Sequence, residues 1–579
     1  PFDGQKPGTS GLRKKTKVFM EPHYLANFVQ STFDALPAAE LSGATLVVSG
    51  DGRFYNDTAV QVIVKMAAAN NVGKLIVGAG ALMATPALST AVRGRGAYGG
   101  IILTASHNPG GPEEDFGIKY NVQNGGPAPQ SVTDQIFENT KTIQSYKICN
   151  NIPDIDLSVK KTHTFTGGDG GSNRFKVEVV DPVDDYLALM KTVFDFDLLK
   201  QLMNRADFHF VYDALNGIAG PYATRIFGEE LGVPEDCLMN CTPLPDFGGL
   251  HPDPNLTYAK QLVEMMGLNR DGTPMDLDTP AIPDFGAAAD GDADRNMILG
   301  RQFFVTPSDS VAMIAAHAPQ CIPYFKDGIK SVARSMPTSQ ALDLVAKELG
   351  IKCFEVPTGW KFFGNLMDAA LLGKDDLCPL ICGEESFGTG ASHIREKDGP
   401  WAVLCWLSIL AKANETTPGG SLVTVQDIAT AHWKKYGRNY YCRYDYEGVG
   451  AKGANDMMDA MRETIDTFEA TGKFPITINT GDFSVEKVDD FSYEDPIDGS
   501  VTKRQGIRFI FTDGSRIIFR LSGTGSVGAT VRLYLEKYEL PSGNVTGMPA
   551  SALGPLVAVA LNISQLEKFT GRTEPTVIT

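Results

Sequence analysis

The chain's 579 residues are too many for one hydrophobic core and predict roughly three to five domains. A content of 43% hydrophobic and 21% charged residues is that of a globular protein and excludes a disordered one. The formal net charge of -17 argues against nucleic acid or an anionic membrane as partner, so an anionic substrate would need a basic pocket of its own.

The first residues, 1–17, are polar and basic, without the apolar core of a signal peptide. From residue 45 the pattern predicts strand 45–49, a helix capped by Asn56, strand 75–77, a helix starting at Thr85-Pro86 and strand 100–103. That alternation points to a mostly parallel sheet with crossover helices. Thr104-Ala105-Ser106-His107-Asn108-Pro109-Gly110-Gly111 follows directly, so a serine stands where a buried strand ends. Pro109 and the paired glycines predict a turn that opens into a helix start, where backbone N–H groups can receive an anion. Alone, such a segment also reads as ordinary turn chemistry. The glycine- and serine-rich stretch 167–172 reads as an exposed excursion.

The grammar then restarts with strand 208–212, helix 221–231 and strand 285–289. The last of these runs into Asp290-Gly291-Asp292-Ala293-Asp294-Arg295, whose carboxylates repel one another unless a cation joins them. Oxygen ligands at this density suit Mg²⁺ or Ca²⁺. An EF-hand is excluded, because Arg295 and Arg301 stand where it needs Gly and Glu. A third round predicts strand 331–334, helices 338–349 and 360–371, strand 380–382 and a helix over 400–413, with 416–420 as linker. Gly383-Glu384-Glu385-Ser386-Phe387-Gly388 and His393-Ile394-Arg395-Glu396-Lys397-Asp398 lie at its strand-to-helix loop, suited to sugar hydroxyls. Lys397 is a candidate acid or base if burial or neighbouring charge lowers its pKa, while helix capping accounts for part of the same polarity.

The last region predicts alternating strands at 507–511, 516–521 and 530–534, a hairpin turn at Asp513-Gly514, and helices near 455–470 and 552–568. Arg520-Leu521-Ser522-Gly523-Thr524-Gly525-Ser526 with Arg532 can clamp a phosphate, and without a P-loop's Gly-Lys-Ser/Thr end it does not suggest a nucleotide. The nine cysteines lack Cys-x-x-Cys spacing and read as reduced thiols of a cytoplasmic protein, and 552–561 is too short to span a bilayer. The fold expected is three consecutive α/β domains with mixed, mostly parallel sheets and a C-terminal α+β antiparallel domain around a central cleft. The boundaries expected are 1–203, 204–304, 305–430 and 431–579.

These motifs, together with Gly8-Thr9-Ser10-Gly11-Leu12-Arg13-Lys14-Lys15, Asp246-Phe247-Gly248-Gly249-Leu250-His251-Pro252-Asp253-Pro254-Asn255 and Pro357-Thr358-Gly359-Trp360-Lys361, resemble the α-D-phosphohexomutase superfamily. Within it the Glu384-Glu385-Ser386-Phe387-Gly388 form is similar to eukaryotic phosphoglucomutases, and the resemblance covers essentially the whole chain. It implies interconversion of glucose 1-phosphate and glucose 6-phosphate through glucose 1,6-bisphosphate, with hexose phosphates as the partners. By the same resemblance Ser106 carries the phosphate, and Mg²⁺ sits between it and Asp290, Asp292 and Asp294. Arg13 and Arg295 hold the reacting end, and His107, Lys119 and Lys397 stabilise charge or move protons. Thr358, Gly359, Glu384 and Ser386 read the sugar, and Arg520, Ser522, Gly523, Thr524 and Arg532 hold the phosphate that is not reacting. Departures are Ala293 in place of a glycine, Glu113-Glu114 in the serine loop, and longer spacers around 269–283 and 371–380. A secretion-linked phosphoprotein relative, parafusin, shares the pattern, which leaves open a non-catalytic scaffold and a peripheral vesicle association. A serine-phosphorylating Mg²⁺ phosphatase is a third reading, and it leaves the distal phosphate clamp unexplained.

Overall fold

The computed structural model describes the chain except for residues 9, 167–173, 278–280, 416–419, 474–480 and 523–527. The glycine-rich excursion, most of the expected linker, and Gly523 and Thr524 therefore lie outside the described residues. Four main sheets follow one another along the chain. The first has seven strands in the order Leu12–Lys15, Asp115–Val122, Gly99–Leu103, Thr45–Gly50, Lys74–Gly78, Arg174–Val180 and Thr162–Thr166. Its centre is parallel and its edges are antiparallel. The helices Asn56–Ala69 and Thr85–Gly94 are its crossovers, and Val47, Leu75, Ile101 and Ile102 between them are fully buried.

The helix expected after the serine loop does not form. The chain turns at Pro109 and returns as Asp115–Val122, antiparallel to Gly99–Leu103 with Ile118 opposite Leu103. Residues 116–121 are all buried, the apolar Phe116, Ile118 and Tyr120 alternating with Gly117, Lys119 and Asn121, as in a strand covered on both faces. Nor does Asn56 cap its helix: Tyr55 takes the cap position with φ 78°, and the Asn56 amide instead donates to the Ala81 carbonyl at 3.1 Å. The helix expected over 221–231 is α-helical only at Ala219–Ala223 and continues as a π-helix over Thr224–Glu230.

The second sheet runs Phe303–Val305, Asn296–Gly300, Phe285–Ala289, Phe210–Asp213 and Leu238–Met239. The third runs Lys352–Val356, Ser331–Ser335, Leu380–Glu384 and Gly388–Ala391. Both are mixed. The helix expected from residue 338 starts later, at Ala341, because the Ser335 and Thr338 hydroxyls are turned toward the Glu385 carboxylate. The fourth sheet is antiparallel, and its core of Phe509, Phe519, Leu533 and Leu535 is covered by the helices Ala451–Thr471 and Pro549–Ser564. Three mixed α/β units and a C-terminal antiparallel one are thus present as expected.

A buried charge network joins the third sheet to the fourth. Glu355 Oε1 accepts from Arg334 at 3.1 Å and Arg516 at 3.3 Å, and its Oε2 accepts from Arg508 at 3.0 Å. Arg516 also reaches the Met336 and Thr338 carbonyls and the Glu536 carboxylate. Burial alone would push the Glu355 carboxyl up, but Arg334, Arg516 and Arg508 outweigh it and hold it at about 2. A depressed carboxyl pKa stabilises the fold fully above the ordinary value of 4.5, and that contribution is lost as pH falls toward 2. Glu355→Gln is therefore expected to cost roughly 3 kcal/mol at neutral pH. The gap to wild type should narrow as pH falls below 4.5, which chemical denaturation at several pH values checks.

Candidate active site in the central cleft

Ser106 ends the extension of the strand Gly99–Leu103 with a left-handed backbone, φ 54°, a conformation that costs a non-glycine residue about 1 kcal/mol or more. Its N–H donates to Thr104 Oγ1 at 2.8 Å, and that hydroxyl donates to Asp51 at 2.6 Å. Ser106 Oγ donates to Asp290 Oδ2 at 3.0 Å and lies 3.3 Å from His107 Nδ1. The serine loop of the first sheet and the aspartate loop of the second are thus in direct contact.

The aspartates leave the fully buried strand Phe285–Ala289. One oxygen from each of Asp290, Asp292 and Asp294 lies within 4.8 Å of the others, and all three residues are buried. Asp290 Oδ1 accepts the Arg295 N–H at 3.0 Å, and Asp292 Oδ2 accepts from Thr85 Oγ1 at 2.7 Å. Among the described residues, Asp292 Oδ1 and Asp294 Oδ1 are buried without a hydrogen-bond partner. Burial, and then the charges of Asp292 and Asp294, push the Asp290 carboxyl well above its ordinary value, against the pull of Arg295. Converging anionic oxygens with unused lone pairs fit a hard divalent cation. Ala293, between Asp292 and Asp294, adopts φ 64°, a left-handed conformation that glycine takes at less cost.

Around these loops lies a cleft of about 740 Å³, to which every sheet contributes. From the first come Arg13, His107 and Lys119; from the second, Asp292, Asp294 and Arg295. The third contributes Thr358, Gly359, Glu384, Ser386 and Lys397, and the fourth Arg520, Ser522 and Arg532. Lys119 Nζ pairs with Glu396 Oε1 at 2.7 Å, Lys397 Nζ lies 3.3 Å from Asp294 Oδ2, and Arg295 Nε lies 3.9 Å from Asp290 Oδ2. Gly359 N–H donates to Glu384 Oε1 at 2.9 Å, and Ser386 Oγ is 3.5 Å from Glu384 Oε2. Arg520 donates to the Gln505 carbonyl and to Tyr534, while Arg532 stands 3.9 Å from Asp445. Arg13 Nε, Arg295 Nε, Arg532 Nε and Thr358 Oγ1 are buried without a hydrogen-bond partner among the described residues, so donors remain for a ligand.

The condition set for Lys397 is not met. Burial would lower its pKa, but Asp294, Glu384 and Asp290 raise it further, and the side chain is held as a cation. His107 goes the other way: burial, and then Arg295 and Arg13, depress it well below its ordinary value, so its ring is neutral. Three groups that shape the site were not singled out from the sequence. Asp51 and Arg53 hold the serine loop from behind, and Glu396 holds Lys119. A signal for the first two was present, since Asp51-Gly52-Arg53 follows the C-terminal end of a central parallel strand, where open α/β sheets place their sites.

Family models for phosphoglucomutase/phosphomannomutase α/β/α domains I, II and III match residues 4–147, 184–302 and 307–436. A model of the phosphoglucomutase-1 C-terminal domain matches residues 438–576. The chain is 58% identical to a probable cytoplasmic phosphoglucomutase 2 of Arabidopsis thaliana and 59% identical to cytoplasmic phosphoglucomutase 1 of Zea mays, with 100% of this chain and 98% of each relative covered. Its structure matches the open form of the exocytosis-sensitive phosphoprotein pp63/parafusin, a phosphoglucomutase from Paramecium, with a TM-score of 0.89 at 52% identity, over 100% of this chain and 98% of that one. From its first strand to its C-terminal sheet, this chain belongs to the phosphoglucomutase/phosphomannomutase family, on its phosphoglucomutase side.

Proposed function

We propose that this chain interconverts glucose 1-phosphate and glucose 6-phosphate, with Ser106 carrying the phosphoryl group. The observation that carries this reading is Ser106 Oγ, 3.0 Å from Asp290 of the aspartate cluster, beside a cleft whose lining includes Arg520 and Arg532. In the first half-reaction the Ser106 O–P bond breaks as a sugar hydroxyl oxygen forms its own bond to phosphorus, the hydroxyl losing its proton and the freed Ser106 oxygen taking one up. The resulting glucose 1,6-bisphosphate turns over, and its other phosphoryl group returns to Ser106 as the serine proton leaves and the freed sugar oxygen takes one up. The His107 ring lies 3.3 Å from Ser106 Oγ, and its lowered pKa makes it a weak base, suited to hydrogen-bond that hydroxyl rather than to hold its proton. Arg13, Arg295, Lys119 and the cationic Lys397 are suited to spread charge on the transferring group. Mg²⁺ is the cation proposed for Asp290, Asp292 and Asp294, where it would supply Lewis-acid polarisation of the phosphoryl oxygens. Thr358, Gly359, Glu384 and Ser386 are assigned to the sugar, and Arg520, Ser522, Gly523, Thr524 and Arg532 to the distal phosphate. The proposed division at 203/204, 304/305 and 430/431 goes with this assignment and gives each unit a share of the cleft.

The names of the relatives support a cytoplasmic setting with hexose phosphates as partners, and no helix among the described residues is long and apolar enough to cross a membrane. Peripheral vesicle association gains no support from them. The non-catalytic alternative is not favoured, since it predicts the loss of a side chain the chemistry needs. Mass measurement of the intact protein before and after glucose 6-phosphate, beside a coupled assay, tests the proposal. A protein that never carries a phosphoryl mass on Ser106 while turning over would overturn it.

The distal arginines should act through binding. Arg520→Ala or Arg532→Ala is expected to raise KM for both monophosphates by roughly ten- to hundred-fold, the worth of one charged hydrogen bond. Either change should also let the bisphosphate escape, so that added glucose 1,6-bisphosphate restores part of the activity. Glu384→Ala should weaken sugar recognition without that dependence. Steady-state rates with and without the bisphosphate distinguish the two.

A further inference from the structure

Two motifs take no part in the reaction as proposed, yet they meet beneath Ser106. The Arg53 side chain is completely buried and pairs with Asp51 through Nε and Nη2, at 2.9–3.1 Å. Its remaining N–H groups reach the Ser106 carbonyl at 3.0 Å, the Asp115 carbonyl at 2.9 Å and the Asn108 carbonyl at 3.3 Å. The guanidinium lies over the Phe247 ring, 5.1 Å from its centroid. Phe247 belongs to the Asp246–Asn255 motif of the second unit and is fully buried, with φ 53°. A Cβ built on Gly110 of the serine loop would lie 2.9 Å from this ring, and one on Gly291 of the aspartate loop 3.1 Å from it and 2.6 Å from the Ser106 carbonyl. The ring is therefore wedged between the two loops that must stay in register.

We infer that Arg53, held in place by its stacking on Phe247, is a positioning residue that holds the Ser106 peptide in its left-handed conformation and so keeps Ser106 Oγ directed at Asp290. The argument is geometric. Asp51 fixes the peptide before Ser106 through Thr104, and Arg53 fixes the one after it through the carbonyl. With both planes pinned, only the side-chain torsion of Ser106 remains free. A strained residue persists only when its surroundings over-determine it, and this pair does so. Lysine cannot replace arginine here, because one ammonium cannot pair with Asp51 as a fork and also bond carbonyls on the other side.

This inference rests on Ser106 as the phosphoryl carrier, and the test keeps the two apart. Arg53→Lys should lower kcat roughly hundred-fold while KM for glucose 1-phosphate stays within about threefold, as for a misplaced reacting atom in an intact binding cleft. Phosphorylation of Ser106 by glucose 1,6-bisphosphate, followed by intact mass, should slow by a similar factor. Phe247→Leu should lower kcat roughly ten-fold with KM unchanged, and the combined variant should be no worse than Arg53→Lys alone, since the ring acts through the guanidinium. A folded Arg53→Lys protein with wild-type kcat, or with its loss in KM alone, overturns the inference, as does a fully multiplicative double variant. If Arg53→Lys does not fold, Phe247→Leu decides, and wild-type kcat there overturns it. Turnover surviving in Ser106→Ala would instead overturn the phosphoserine reading.

Discussion

Ser106→Ala is expected to abolish turnover, on the order of 10⁴-fold or more, because it removes the atom proposed to carry the phosphoryl group. The fold should survive. The side chain of Ser106 holds only Asp290 and His107, while the loop is held by backbone bonds to Arg53 and Thr104 that alanine keeps. Circular dichroism and thermal unfolding should therefore match wild type while a coupled assay reads no product. Intact mass should find no phosphorylated form after incubation with glucose 1,6-bisphosphate. Substrate affinity should persist, since the arginines and the sugar-facing groups are untouched. Turnover near the wild-type rate would refute the serine assignment.

Removal of divalent metal should have an effect of similar size. Excess chelator is expected to stop turnover, with Mg²⁺ restoring it and Ca²⁺ binding but supporting little catalysis, because its looser coordination orients the phosphoryl group poorly. Asp292→Asn should weaken Mg²⁺ binding by more than the roughly 10- to 100-fold that loss of an outer-sphere partner costs, as measured by calorimetry. The same change should raise the thermal stability of the metal-free protein. Burial and the neighbouring charges of Asp292 and Asp294 keep the Asp290 carboxylate under strain, and neutralising one neighbour relieves it. Affinity and metal-free stability should thus move in opposite directions. Activity unchanged in chelator would exclude a metal role.

Much of this architecture was legible because it is written in local patterns. The strands Phe285–Ala289 and Ile507–Phe511 fall at the expected residues, since each is an apolar run ended by turn chemistry. The loops that build the cleft were legible for the same reason, each standing at the end of such a strand. The helix Pro307–Cys321 was not, because it is buried almost all round and carries no one-sided apolar stripe. The turn after Ser106 was misread because Pro and paired Gly punctuate strands as readily as helices. The partners of the site residues lie beyond local reading. Glu396 meets Lys119 across 277 positions, and Asp290 meets Ser106 across 184. Arg53 was not singled out, since its carbonyl partners come together only when the strand Asp115–Val122 folds back beside it.

The pairing of the cleft's cations has a consequence for how a ligand leaves. Lys119 leans on Glu396, Lys397 on Asp294, Arg295 on Asp290 and Arg532 on Asp445. An arriving phosphate does not fall into a void of uncompensated positive charge. It displaces counterions that belong to the chain itself, and these return when it departs. Tight capture is given up for exchange, as on an ion-exchange resin whose own fixed anions compete with the solute. The proposed bisphosphate, which would have to let go at both ends, turn, and settle again without drifting into solution, would be served by grips of that kind, each firm in place and cheap to release.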